Sequence, residues 1–331
     1  MKTLIAGVGG YLPEKVVTND DLAKMMDTSD EWIVERTGIK QRRWVEKETG
    51  ASDLAVQACH EAIERAGISL GDIDCIVLAT LSPDHTFPGT ACFLQQKLGL
   101  AGIPALDVRN QCSGFIYSLS VADAWIKTGQ YSCVLVVGTE VHSTGLDKTT
   151  RGRDVTCLFG DGAGAVILVP GEDDGRGIMS THLHADGRHA RSLWIEAPGS
   201  RFHPLRIDHE KLEQGRHFPK MKGRHVFTHA VKHMPAVIKE GLQLNGLSVE
   251  EVDLFVPHQA NQRITEVVAK VMKFEPRQVY SNIDRYGNTT AASIPLCLRD
   301  AENESRLKKG DLLVLASFGA GFTWASCILR W

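Results

Sequence analysis

The sequence has no excess of either charge: 37 Lys and Arg against 40 Asp and Glu leave a formal net charge of −3 over 331 residues. A chain so balanced carries no whole-molecule field to grip nucleic acid or an anionic membrane, so any anionic ligand must meet a local patch. Apolar runs approaching the ~18 residues of a membrane span are also missing. The stretch Leu4-Ile5-Ala6-Gly7-Val8-Gly9-Gly10 is too short and too broken by glycine for a secretory signal core, and is expected to form a first strand. Eight cysteines (59, 75, 92, 112, 133, 157, 297, 327) are scattered through apolar segments without CxxC spacing, so reduced thiols and a cytoplasmic location are expected. Gly (31) and Pro (12) are in ordinary supply, which excludes collagen-like and low-complexity chains. What remains is a globular chain, 43% hydrophobic and 23% charged, long enough for one large or two medium domains.

Helical and strand patterns alternate along it. Residues 52–66 set Leu54, Ala58, Ala62 and Ile63 on one helical face, with Ser52 as the expected N-cap and Gly67 as the stop. Strands are expected at Cys75–Ala79, Ala105–Val108 and Val134–Val137. Between the last two, a helix runs through Ile116, Leu119, Ala122 and Ile126 to Gly129. The class is therefore α/β. The chain also resembles itself. Residues 66–74 match 245–253 at an offset of 179, the strands beginning at Val134 and Leu312 lie 178 apart, and Cys112 and Asn288 lie 176 apart. Three landmarks at nearly one offset indicate a duplication, which would bring equivalent loops together at a pseudo-twofold.

Cys112 stands between an apolar strand and the start of an amphipathic helix. Unpaired backbone N–H groups at a helix N-terminus, together with the macrodipole, lower a cysteine's pKa, so an activated nucleophile competes here with a buried structural thiol. His258 follows an expected strand in Leu254-Phe255-Val256-Pro257-His258, and Asn288 sits in a small-residue turn before a helix. Alone, each reads as a structural residue. Together, in matching positions of two halves, they give a nucleophile with two side-chain donors.

These segments resemble the β-ketoacyl-acyl-carrier-protein synthase III family of the thiolase superfamily over essentially the whole chain. The resemblance rests on Thr28–Ile33 with Arg36-Thr37-Gly38-Ile39, Cys112-Ser113-Gly114-Phe115, Phe159–Ala165, Val256–Asn261, Tyr286–Ser293 and Phe318–Trp324. It implies a thiolase-like fold of two duplicated α/β halves in an αβαβα core. The first half (1–170) would carry the nucleophile; the second (171–331) would carry His and Asn, with an insertion at about 188–224. The implied reaction is a decarboxylative Claisen condensation: Cys112 takes the acyl group of an acyl-CoA, and malonyl on acyl carrier protein is condensed onto it. His258 and Asn288 would hold the malonyl thioester oxygen. The alternatives are a sister condensing enzyme with a specialised primer or acceptor, and a silent acyl-binding subunit, against which the three retained residues argue.

By the same resemblance, the backbone N–H groups of Cys112 and Ala320 form an oxyanion hole. Ala320 departs from the family's glycine run, at a cost of ~1 kcal/mol or more if φ there is positive. Trp32, Arg36, Arg151 and Asn261 would bind CoA, and Arg263 and Lys270 would meet the carrier protein. Phe87, in the loop Thr86-Phe87-Pro88, would reach the acyl pocket of a homodimer partner. Gly160–Gly164 reads as structural, since it lacks GxGxxG spacing and a following lysine. Neither cofactor nor metal is expected. His225, His229 and His233 recur every four residues, but no carboxylate or thiolate completes a site and the reaction needs no cation, so a surface helix face is the reading there. Residues 188–224 carry nine basic against four acidic side chains together with Trp194, Phe202, Leu205, Ile207 and Phe218. They are expected to cap the entrance, with aromatics toward the acyl path and Arg201, Arg206 and Arg216 toward phosphate, a neutral surface elaboration being the alternative.

Overall fold

The computed structural model describes residues 2–46, 48–172 and 174–331. The N-terminal half contains strands β1 (Lys2–Tyr11), β2 (Val16–Thr18), β3 (Gln41–Arg43), β4 (Cys75–Ala79), β5 (Ala105–Val108), β6 (Val134–Glu140) and β7 (Gly162–Gly171). Its helices are α1 (Asn19–Ala23), α2 (Asp30–Thr37), α3 (Ala51–Ala66), α4 (Thr90–Lys97), α5 (Gly114–Lys127) and α6 (Arg153–Thr156). The remainder contains strands β8 (Gly177–Ala185), β9 (Leu193–Ile195), β10 (Pro219–Met221), β11 (Leu254–Pro257), β12 (Leu312–Gly319) and β13 (Thr323–Arg330). With them run helices α7 (His209–Glu213), α8 (Gly223–Leu244), α9 (Gln262–Met272), α10 (Ile283–Tyr286) and α11 (Ser293–Asn303). Among the described residues, no helix is long and apolar enough to cross a membrane.

Two sheets carry the fold. One has the order β1-β7-β6-β4-β5, in which β1, β6, β4 and β5 run in one direction and β7, between β1 and β6, runs antiparallel to both its neighbours. The other has the order β11-β12-β13-β8, in which β11, β12 and β8 run in one direction and β13 runs antiparallel to both its neighbours. The second sheet repeats the first with β8, β11, β12 and β13 in the places of β1, β4, β6 and β7. The counterpart of β5 shrinks to a single bridge, Phe255 to Val279.

Alternation along the strands assigns each side chain to a layer. Val134 and Val136 face α5 and α11, with Leu254, Val256, Leu313 and Leu315 of the second sheet on the far side of those helices. Leu135 and Val137 face α3 and α4. In the second sheet Leu312, Val314 and Phe318 face α8 and α9. The result is five layers, αβαβα, with α5 and α11 in the middle. Strands covered on both faces must be apolar throughout, which is why Cys75–Ala79 shows no hydrophilic position.

Local departures from the sequence pattern have simple causes. Helix α3 is capped two residues earlier than expected, by Gly50, and the Ser52 hydroxyl is drawn instead to Asp84, 2.7 Å away. It stops at Gly67 in a left-handed conformation (φ 66°), as expected. Gly7 and Gly9 let α3 lie directly on β1: a Cβ at Gly9 would fall inside the contact radius of the Ala58 carbonyl oxygen, and one at Gly7 inside that of Ala62. Gly9→Ala is therefore expected to cost about 1–3 kcal/mol by overpacking. The check is the urea midpoint, and an unchanged midpoint would mean that α3 lifts off β1 freely.

Candidate active site

The parallel strands place their carboxyl ends at one edge of the central layer, where ligands bind in α/β folds. Cys112 follows β5 and leads into α5; His258 is the first residue after β11; Asn288 lies just before α11. All three line one cavity of about 540 Å³. A second cavity, of about 620 Å³, opens on the other side, and Cys112, Phe159 and Leu193 line both. The thiol thus sits at the waist between two chambers.

The backbone around this waist is strained. Gln111, immediately before the cysteine, has φ 45°, and Thr290, two residues after Asn288, has φ 48°. Left-handed conformations at non-glycine residues are uncommon, and in this fold they flank the reacting groups. Gly319 touches the cysteine so closely that a Cβ there would lie 2.8 Å from Sγ.

Burial pushes the Cys112 thiol up to about 12, with the Glu140 charge adding to the rise; the backbone N–H groups of Ala320 and Cys112 act against it. This corrects the expectation of a lowered value: helix-end donors are present, but desolvation outweighs them. Those same two N–H groups are the expected oxyanion-hole pair. Ala320 is absent from the positive-φ residues; Gly321 takes that conformation instead (φ 135°), so the alanine carries no left-handed cost.

His258 is 2% exposed, and burial holds its imidazole down to about 3, hence neutral. Its Nδ1 lies 2.7 Å from Ser293 Oγ, which also lies 2.9 Å from the Thr290 carbonyl. Nε2 is buried with no protein partner. The Asn288 side-chain oxygen accepts the Thr290 N–H at 2.9 Å, leaving its NH₂ as the free, donating end. The cavity therefore meets an unpaired imidazole nitrogen and an amide donor beside a thiol.

Two buried titratable residues here went unnoticed in the sequence. His142 Nε2 bonds Thr290 Oγ1 at 2.8 Å, and burial with the nearby His258 lowers its pKa to about 3. Glu140 accepts from the Leu81 and Ser82 N–H groups and the Ser82 hydroxyl, yet burial raises its pKa to about 7. Their one sequence signal was polarity at the end of the apolar strand β6 and just beyond it. Asp161, within the glycine stretch, receives the N–H groups of Val45, His142 and Ser143, which makes that stretch structural.

Trp32 and Arg36 stand at the mouth of the 540 Å³ cavity with the Arg36 guanidinium 4.5 Å from the indole centroid. Arg151 is not among the lining residues: its Nε is paired to Asp147 at 2.5 Å and its guanidinium lies over Phe218. Arg153, two residues on, approaches Trp32 at 5.2 Å instead. Asn261 lines the cavity but uses its side chain to cap α9 (Arg263 N–H, 2.9 Å) and to hold the Arg36 carbonyl (2.9 Å). Arg263 is exposed at the cavity rim, and Lys270 is exposed two turns further along α9. Phe87 is 81% exposed on the loop before α4 and lines neither cavity.

Within 188–224, Leu193, Trp194 and Ile195 of β9 line the larger cavity, and Arg224 lines the smaller. Arg201, Arg206 and Arg216 line neither. Arg216 is taken by Glu196 (3.4 Å), and Phe202, Leu205, Ile207 and Phe218 stay outside both chambers.

Duplicated sheets meeting at a buried cysteine with two side-chain donors define a thiolase-like condensing enzyme. Comparison with known proteins narrows this. Residues 106–187 match the family model of 3-oxoacyl-[acyl-carrier-protein (ACP)] synthase III, and residues 242–331 match the model of its C-terminal part. The chain is 48% identical over 328 residues to a β-ketoacyl-[acyl-carrier-protein] synthase III of Xanthomonas campestris pv. campestris, covering 99% of this chain and 98% of that protein. To the protein of that name from Rhodospirillum centenum it is 45% identical over 335 residues, covering 100% and 99%. The 3-oxoacyl-[acyl-carrier-protein] synthase III structure from Aquifex aeolicus VF5 superposes with a TM-score of 0.90 at 42% identity, covering 99% of this chain and 100% of that one. The chain belongs to the β-ketoacyl-[acyl-carrier-protein] synthase III family and is an acyltransferase of the condensing type.

A thiol with a pKa near 12 should be alkylated by iodoacetamide about tenfold faster per pH unit between pH 7 and 9, the thiolate being the nucleophile. Glu140→Gln, by removing a charge that opposes ionisation, should speed Cys112 labelling at pH 8. A labelling rate that is flat with pH would show that the resting thiol is already ionised.

Proposed function

We propose that this enzyme carries out the initiating condensation of fatty acid synthesis, joining an acyl-CoA primer to malonyl held on acyl carrier protein. The observation that carries it is the convergence of Cys112, His258 and Asn288 on one cavity, with a second chamber behind the sulfur. Identity to synthase III relatives along the whole chain favours this reaction over one with a specialised acceptor.

The first half-reaction forms the Cys112 Sγ–acyl bond and breaks the acyl–sulfur bond of CoA. The buried thiol must lose its proton as it attacks, and the unpartnered Nε2 of neutral His258 is the base available. With the Ser293 hydroxyl donating to the Thr290 carbonyl, Nδ1 keeps its proton and Nε2 presents a lone pair. That nitrogen takes the thiol proton and passes it to the departing CoA sulfur. The N–H groups of Cys112 and Ala320 receive the tetrahedral oxyanion.

In the second half-reaction malonyl loses CO₂, and the electron pair of the broken C–C bond becomes an enolate. The Asn288 NH₂ donates to its oxygen. His258 joins when the Ser293 hydroxyl turns to Nδ1 and the ring proton moves to Nε2, so one serine serves both proton arrangements. The enolate carbon then attacks the acyl group, a C–C bond forms, and Cys112 is released as a thiolate that regains a proton. Asparagine accepts no proton at neutral pH, which suits decarboxylation rather than α-proton abstraction.

The chamber containing Trp32, Arg36, Arg224 and Arg263 suits the CoA arm, since indole stacks on a nucleotide and guanidinium forks match phosphate. The larger chamber suits the acyl chain, with Leu81, Val141, Leu146 and Trp194 on its wall. Residues 188–224 cap both through β9. The exposure of Phe87 fits a homodimer in which it reaches the partner's acyl chamber, and the exposed Arg263 and Lys270 fit an acidic carrier protein on α9. No cofactor is needed for this chemistry.

Intact-mass measurement after incubation with acyl-CoA tests the roles. Cys112→Ala should gain no acyl mass, whereas Asn288→Ala should acylate normally and lose condensation by ~10² or more, the scale of one lost oxyanion donor. Equal loss of both steps in Asn288→Ala would overturn the division of labour. Arg224→Ala should raise the KM for acyl-CoA and flatten its salt dependence, while Arg201→Ala/Arg206→Ala/Arg216→Ala should leave both unchanged. An effect of the triple variant alone would move the phosphate contacts to the outer cap.

A further inference from the structure

A cluster of imidazoles outside the two chambers has no part in this chemistry. His225 and His229, one turn apart on α8, share a face, as their spacing requires. The structure adds a third member from the cap: His189, just before β9, whose Nδ1 lies 3.1 Å from His225 Nε2. Its ring centroid is 5.0 Å from that of His225 and 4.5 Å from that of His229, while His225 and His229 are 4.2 Å apart. One ligand atom from each lies within 4.8 Å of the other two.

We propose that His189, His225 and His229 form a binding site for a divalent transition-metal ion, with zinc as the best-matched occupant. Three imidazole nitrogens are a recognised zinc set that leaves a fourth position open, and the absence of thiolate or carboxylate in the set disfavours the hard cations magnesium and calcium. With Zn–N bonds of 2.0–2.1 Å, the nitrogens sit about 3.4 Å apart, so His189 and His225 already stand near bonding separation and His229 closes by side-chain rotation.

The surroundings are those of a metal site. His229 Nδ1 is held by the His225 carbonyl at 2.9 Å, which fixes its proton there and leaves Nε2 as the ligand. His189 presents Nδ1 inward, and its other nitrogen faces the Asp186 carboxylate at 3.7 Å. Phe322, 1% exposed, closes the inner side, with its ring 5.1–5.7 Å from all three imidazoles. Reciprocal backbone bonds between Asp186 and Phe322 (2.8 and 2.9 Å) hold that floor in place.

An ion here would fasten the cap to α8. His189 belongs to the turn of 187–192 that leads into β9, and Ala190 and Leu193 line the chambers. The site is therefore a staple on the roof of the active site rather than a participant in the reaction.

Cobalt(II) is the probe, because its visible absorption reports imidazole coordination. Exposed Cys92 is replaced by serine so that its thiolate cannot contribute. Chelator-treated Cys92→Ser protein should bind one Co²⁺ per chain, and Zn²⁺ should displace it. His229→Gln and His189→Gln should each weaken binding at least about tenfold, with far-UV circular dichroism confirming that both are folded. Hydrogen exchange in 187–192 should slow on addition of Co²⁺ in the parent and not in the variants. Failure of the parent to bind at micromolar Co²⁺, or equal binding by the parent and both variants, would overturn the proposal.

Discussion

Everything at this active site depends on the burial of α5 and α11 between two sheets. Each helix is apolar where it meets both sheets, so neither can slide or rotate without exposing core. Because the N-terminus of α5 carries the cysteine and that of α11 follows the asparagine, the same burial fixes the distance between nucleophile and donor. The outer layers then serve mainly to complete each sheet's second face. Precision that a loop would lack comes here from hydrophobic area, and the strained residues Gln111 and Thr290 persist because the surrounding core over-determines them.

The electrostatic character of the site follows from the same burial. His258 and His142 are held neutral, and Glu140, despite its several donors, is pushed into the neutral range. A thioester carbonyl is uncharged until bonds begin to change, and in the proposed decarboxylation the malonyl charge passes to that carbonyl oxygen only as neutral CO₂ leaves. Neutral donors fixed in place stabilise charge as it appears without holding a counter-charge beforehand. The charged groups Arg36, Arg224 and Arg263 stand instead exposed along the chamber proposed for the CoA arm, in solvated surroundings.

How much of this was legible depends on how far each feature reaches along the chain. The α/β alternation and the repeat offset near 178 are written in local patterns, and the sheets follow them strand for strand, except where the fifth strand shrinks to a bridge at Val279. Cys112, His258 and Asn288 were legible as candidates because each stands at a junction, Cys112 between a strand and a helix, His258 at a strand end and Asn288 in a turn before a helix. The arginines expected toward CoA were less legible: Arg151 is paired with Asp147 and Arg153 with Asp27, and neither lines the cavity, which only the fold shows. The imidazole cluster was half visible: the helical spacing of His225 and His229 was plain, but His189 lies 36 residues from His225 and meets it only through the cap fold. The sign of the thiol's shift escaped because helix-end donors are visible in a sequence and desolvation is not.

The raised thiol has a consequence for durability. Oxidants attack thiolates, and the ladder from sulfenic to sulfonic acid ends irreversibly. A nucleophile kept protonated by its own burial presents almost no thiolate in the resting enzyme, so peroxide finds little to react with. The seven other cysteines offer no easier route inward, since all but Cys92 are buried. On the proposed mechanism, reactivity is confined to the moment when substrate and His258 together draw off the proton, and between turnovers the thiol rests protonated.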